Sequence, residues 1–240
     1  MSITEQTLLI DIMAFAWFLL CWIGYTKFAK KRSATEVCLA SVMHMYRAQW
    51  MKSMMTRQNR VSDISAMATF ERNMAFFGSS SLLIVAGLLT MLGNLNDVIQ
   101  VFSHTPLASG QTLLQWEVKI FLLIVIFVYT FFKFSWAMRQ IGFASVLIGA
   151  APDAIDQEIS EQEQQDVSER IARVTSMAAH HFNFGIRAYY FALAVLTWFI
   201  NPIIFCVTAA LVVYVLYRRE FNSSVLKTLM MGSESAGTKP

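Results

Sequence analysis

Apolar runs of bilayer length constrain this chain more than any other feature. The stretch 113–136 contains the bulky run IFLLIVIFVYTFF, and a helix apolar on every side must be buried in a large core or in a membrane. About 20 mostly apolar residues cross a hydrocarbon core of about 30 Å. The stretches 8–25 and 74–92 meet the same demand. From Tyr189 through Tyr217 there is again no Asp, Glu, Lys or Arg, and Asn201-Pro202 interrupts the run near its middle. Two readings of that segment are open: one Pro-kinked helix, or a hairpin of two helices at 181–200 and 202–217. Asn at the N-cap followed by Pro at the first helical position is a standard helix start. Proline in a helix interior costs about 3 kcal/mol. Local chemistry therefore favours the hairpin.

Charge supplies an independent test. Charged residues make up only 15% of the chain and hydrophobic ones 56%, with a net charge of +3; soluble domains average about 25% charged. Lys27, Lys30, Lys31, Arg32, Arg47, Lys52, Arg57, Arg60 and Arg72 all lie between the first two apolar runs, whereas 93–112 has no Lys or Arg. Basic loops stay cytoplasmic, which predicts an external N-terminus. Arg218, Arg219 and Lys227 follow the last run and return inside with five crossings. The expected architecture is thus an all-α polytopic membrane bundle, N-out and C-in. It forms one domain over 1–230 with spans at 8–25, 74–92, 113–136, 181–200 and 202–217, followed by a flexible tail at 231–240. Four spans with a kinked last helix are the alternative. Glu5, Asp11 and the missing basic n-region make the first run a retained span and not a cleaved signal.

Several segments read as structural. Lys119 and Lys133 stand near opposite ends of the third span, where each is expected to snorkel to its nearer interface. That span is bulky throughout and is expected to face lipid or a broad interface. Leu39, Val42, Met43, Tyr46, Trp50 and Met54 form an apolar helical stripe, with Arg47 and Lys52 beside it. Tyr46, Arg47, Trp50 and Lys52 suit an interfacial amphipathic helix on the cytoplasmic leaflet; packing on the protein's own helices suits the stripe equally. The Met-rich run MHMYRAQWMKSMM reads as flexible apolar filling. The acidic stretch from Asp153 to Glu169 reads as a solvated face, with Ser160 and Glu163 spaced to cap a helix. Cys21, Cys38 and Cys206 have no ligand spacing. Ser79, Ala86, Thr90 and Gly93, and Cys206 with Ala210, are small faces suited to close helix approach.

One polar constellation enters the apolar region. Arg173, Ser176, His180, Asn183, Arg187 and Tyr190 follow helical steps of three and four along one side. Arg187 falls about two turns inside the expected span, and a lipid-facing arginine costs about 2.5–3.5 kcal/mol, so it should point into the bundle. Lys133 and Arg139, at the end of the third span, offer companion charges. Arg187, Asn183, His180, Lys133 and Arg139 together form a candidate lipid-headgroup or anion pocket on the cytoplasmic side. In the opposing reading, Arg187 simply pairs with an acidic side chain or a helix-end carbonyl.

The sequence contains no GxSxG, HExxH, Walker loop, GxGxxG or CxxC motif, so neither catalysis, a metal nor a cofactor is expected. The leading expectation is a self-associating, non-enzymatic membrane protein that binds lipid and not nucleic acid. An oligomeric channel or transporter-like pore is the first alternative, and a cofactor-bearing redox subunit using His180 or His181 the second.

The segments FFKFSWAMRQ, IGAAP, AAHHFNFGIRAYYFALA, WFINP and VLYRREFNS, in that order, resemble the bacterial membrane proteins grouped as domain of unknown function 599. The resemblance runs over nearly the whole chain. It implies a multi-pass inner-membrane protein with four or five helices, and it carries over no activity and no site residue.

Overall fold

The computed structural model describes residues 3–33, 35–103, 112–152 and 160–231. Every regular element among them is a helix: α1 Ile3–Arg32, α2 Leu39–Met55, α3 Val61–Gly93, α4 Leu95–Ser103, α5 Leu113–Gly149, α6 Glu161–Trp198, α7 Pro202–Phe221 and α8 Ser224–Met230. Among the described residues four stretches are long and apolar enough to cross a membrane, namely Gln6–Arg32, Val61–Gly93, Leu113–Gly149 and Pro202–Met230. α6 falls outside that group: its first half carries Glu161, Glu163, Asp166, Glu169, Arg170 and Arg173, and His181, Asn183 and Arg187 lower the hydropathy of its second half. The expected span at 181–200 therefore rests on the apolar second half of α6 alone. His104, Asp153, Asp156, Glu158 and the tail from 232 lie outside the described residues.

The helix boundaries follow from local chemistry. Ser160 Oγ accepts the Glu163 N–H at 3.2 Å and opens α6. Asn201 Oδ1 accepts the Ile203 N–H at 2.7 Å, and Pro202 takes the first helical position of α7. α7 then doubles back on α6: the Thr197 and Thr208 hydroxyls meet at 2.8 Å, and the Trp198 and Phe205 rings stack at 4.8 Å. A hairpin forms where the alternative had a single Pro-kinked helix.

The chain divides into two compact units. The first draws on the chain up to Glu36, Ser81–Thr130 and Ile186–Asn222. Its core is aromatic: Phe18 is fully buried and meets Phe191 edge to face, while Trp22 stacks on Phe191 at 5.5 Å. Ser81 joins the Thr130 hydroxyl at 3.1 Å and the Tyr189 hydroxyl at 3.0 Å, a polar seam between three helices. The Trp17 indole donates to the Cys206 carbonyl at 3.1 Å, so the Cys206 region of α7 serves packing within the chain.

The second unit draws on Val37–Ser80, Phe131–Gly185 and the chain from Ser223. Met51, Met54 and Met67 are fully buried there against Ile141, Ala144, Ile148 and Ile171. The methionine run fills a core, as its chemistry predicts. Phe77, Phe134 and Phe182 pack ring to ring, and Gly185 makes room for them: a Cβ at that position would lie 2.5 Å from Phe134 Cε1. Arg60 donates to the carbonyls of Ile148 at 3.2 Å, Ala151 at 2.8 Å and Pro152, closing the C-terminus of α5.

α5 makes a broad interface within the protein, while much of its apolar surface stays exposed. Its apolar window is 39% buried, against 11–17% for the other three candidate spans. Trp116, Ile120, Leu123, Ile126 and Phe127 form its inward side in the first unit, and Phe134, Ala137, Ile141 and Ala144 do so in the second.

Candidate functional site

The polar stripe of α6 exists, but its members have separate partners. Ser176 Oγ lies 2.8 Å from His44 Nδ1 of α2. Arg173 pairs with Glu169 one turn back at 2.5 Å, on the surface. In the first unit Arg187 turns inward, as expected, and donates to Glu220 Oε2 at 2.8 Å, with only 15% of either side chain exposed. The Arg187 guanidinium also stands 5.5 Å from the centre of the Tyr25 ring. Tyr190 receives Arg219 from α7. The cation that was to anchor the pocket is thus matched by a carboxylate nineteen residues beyond the hairpin turn, counting from Asn201 to Glu220.

Lys133, His180, Asn183 and Arg139 belong to the second unit. Phe184 gathers two of them: Lys133 Nζ lies 5.6 Å from its ring centre, and the His180 ring meets it edge to face at 4.5 Å. Asn183 and Arg139 are exposed. Arg139 extends over the Phe143 ring at 5.7 Å and makes no ion pair among the described residues. It lines a groove of about 650 Å³ whose walls are Phe132, Trp136, Phe143 and Val146, with Glu71 also on the lining. Gly142 is also on the lining, and a Cβ there would meet nothing within 4 Å.

The proposed interfacial residues of α2 are partly committed inside the protein. The Trp50 indole donates to Asp63 Oδ1 at 2.6 Å, and the Tyr46 hydroxyl donates to the Leu229 carbonyl at 2.8 Å. Arg57 completes the Asp63 site at 2.5 Å, and Asp63 is almost wholly buried in the first turn of α3. A carboxylate there complements the positive end of the helix. Arg47 is half-buried, and desolvation draws its guanidinium below the usual arginine pKa. Lys52 alone of the four is exposed.

Sequence reasoning missed a second polar centre, in the first unit. Lys119 does not reach for an interface: it is 1% exposed, and its Nζ lies 3.8 Å from Asp11 Oδ1. Two neutral donors hold the Asp11 carboxylate, the Trp198 indole at 2.7 Å and the Gln115 amide at 2.9 Å. Lys119 in turn donates to the Trp198 carbonyl at 3.2 Å and stands 5.1 Å from the Trp198 ring centre. Snorkelling fails because α5 turns this face toward the core, where an opposite charge is waiting. The available signal was Asp11 itself, a carboxylate inside an otherwise apolar run.

Buried charge pairs set in helices of membrane-crossing length define a class: an all-helical protein built with the composition of a multi-pass membrane protein. The chain belongs to the family described as protein of unknown function, DUF599, which it matches over residues 13–225. Neither the curated proteins nor the solved structures contain a match to it.

Proposed function

We propose that this is a non-enzymatic inner-membrane protein, oriented with its basic 27–72 segment in the cytoplasm, that holds a single lipid phosphate at Arg139. The carrying observation is the α5 groove, in which an exposed guanidinium with no ion pair among the described residues sits among Phe132, Trp136, Phe143 and Val146. An arginine at the edge of an aromatic and aliphatic wall suits a phosphate with its acyl chain alongside. Glu71 on the same lining disfavours a second anionic group, which limits the load to one phosphate. Lys133 adds positive charge in the same unit, whereas Arg187 is neutralised by Glu220 and acts as a helix lock.

Native mass spectrometry on full-length protein from nanodiscs containing phosphatidylglycerol and phosphatidylcholine tests this reading. Wild type should retain phosphatidylglycerol, and Arg139→Ala should lose it by about tenfold, the weight of a charge-assisted hydrogen bond. Equal retention of both lipids, or retention unchanged in Arg139→Ala, overturns it.

Self-association through α3 is a second reading. Ala86, Gly87, Thr90 and Gly93 are all exposed, and a Cβ at either glycine would meet nothing within 4 Å. Small faces of this kind let helices of two copies approach closely. Gly87→Leu should shift the mass measured by light scattering in mild detergent from dimer or higher to monomer. A wild-type monomer removes this reading.

A further inference from the structure

The Asp11–Lys119 centre borders a cavity of about 270 Å³ lined by Leu8, Ile12, Phe15, Leu114 and Val118, with Gln115 and Trp198 at its polar end. We infer that this cavity is a second lipid site, distinct from the Arg139 groove, that recognises a zwitterionic headgroup in which an ammonium is joined to a phosphate. Three observations carry the assignment.

The first is charge. The site presents one carboxylate and one ammonium, both buried. A purely anionic ligand meets Asp11, and a purely cationic one meets Lys119, each at a desolvation cost in a low-dielectric setting. A ligand carrying both signs matches both, its ammonium toward Asp11 and its phosphate toward Lys119. The protein's own two charges are held 3.8 Å apart, beyond the roughly 2.7–2.9 Å of a direct charge-assisted hydrogen bond. Asp11 is fixed by the neutral Trp198 and Gln115 donors. The carboxylate is therefore fixed by neutral donors, with the Lys119 ammonium of its ion pair 3.8 Å away.

The second is depth. Asp11 lies eight residues into α1 and Lys119 six residues into α5, or roughly 12 and 9 Å along each helix at 1.5 Å per residue, while Trp198 is the last residue of α6. In a membrane-spanning reading this is the level where headgroups give way to acyl chains.

The third is the wall. Leu8, Ile12, Leu114 and Val118 are 50%, 60%, 64% and 51% exposed. An apolar ramp leading outward from a polar end fits a headgroup with its chain attached better than a small soluble zwitterion, which would leave the ramp uncovered.

The test uses full-length protein in nanodiscs of equal parts phosphatidylethanolamine and phosphatidylglycerol, with bound lipid read by native mass spectrometry. Phosphatidylethanolamine should be retained by wild type. Val118→Trp fills the cavity mouth from an exposed position without touching the ion pair; it should lose phosphatidylethanolamine by about tenfold while keeping phosphatidylglycerol. Asp11→Asn should do the same, and a circular-dichroism melt confirms that the tested variants remain folded. Arg139→Ala should leave phosphatidylethanolamine bound, which separates this site from the groove. The assignment is overturned if Val118→Trp retains the lipid, if loss extends equally to phosphatidylglycerol, or if free phosphoethanolamine at equal concentration displaces the lipid.

Discussion

Arg187 and Glu220 meet at 2.8 Å, six-sevenths hidden from solvent, and tie the apolar half of α6 to the end of α7. Removing one member of such a pair leaves an uncompensated charge, which costs about 3–5 kcal/mol when burial is complete and less with residual exposure. Arg187→Ala should lower the thermal midpoint of the detergent-solubilised protein, and Arg187→Ala/Glu220→Ala should recover part of that loss. Phosphatidylglycerol retention at Arg139 should not change. Loss of that lipid at unchanged stability would return Arg187 to the binding site.

Gly185 is the position at which α6 accepts the Phe134 ring. A methyl group there would come within 2.5 Å of Phe134 Cε1, and overpacking of a tight core costs about 1–3 kcal/mol. Gly185→Ala should therefore lower the unfolding midpoint, and Phe134→Leu in the same chain should restore much of it. Unfolding curves of the two singles and the double measure this coupling.

Arg60 fastens three carbonyls at the end of α5. Arg60→Ala leaves those acceptors without their donor, a loss of about 1–3 kcal/mol. Hydrogen exchange should accelerate in peptides covering 145–152 while 120–135 remains protected. Uniform protection across both regions would show that the cap is dispensable.

Trp50 separates packing from membrane contact. Trp50→Phe keeps the ring edge against Phe70 but removes the indole donor to the buried Asp63. Stability should fall by about 1–3 kcal/mol, the range for a lost partner of a charged group. Fractionation with membranes should be unaltered. Wild-type stability in this variant would favour the interfacial role for α2.

Local chemistry was legible in the residues. Asn201-Pro202 announced the α6–α7 hairpin and Ser160 announced the start of α6, whereas the α2 stripe left open whether lipid or protein covers it. The inward turn of Arg187 also followed, because hydrocarbon excludes a guanidinium. What stayed hidden depends on how helices rotate about their axes. Lys119 looked free to extend because periodicity does not reveal which side of α5 faces the core. Glu220 follows Arg218 and Arg219 in sequence, and only the hairpin's return path brings it to Arg187. The sharing of Arg139's groove with Glu71 likewise required the approach of two helices far apart in the chain.

The Asp11 carboxylate has a timing consequence. Its amide partner lies 104 residues further along the chain and its indole partner 187. A polypeptide emerging from the ribosome thus carries an unmatched acid in its first apolar helix through most of synthesis. That helix has its full set of partners only once α5 and the end of α6 arrive, and a product terminated before Gln115 carries a stranded negative charge.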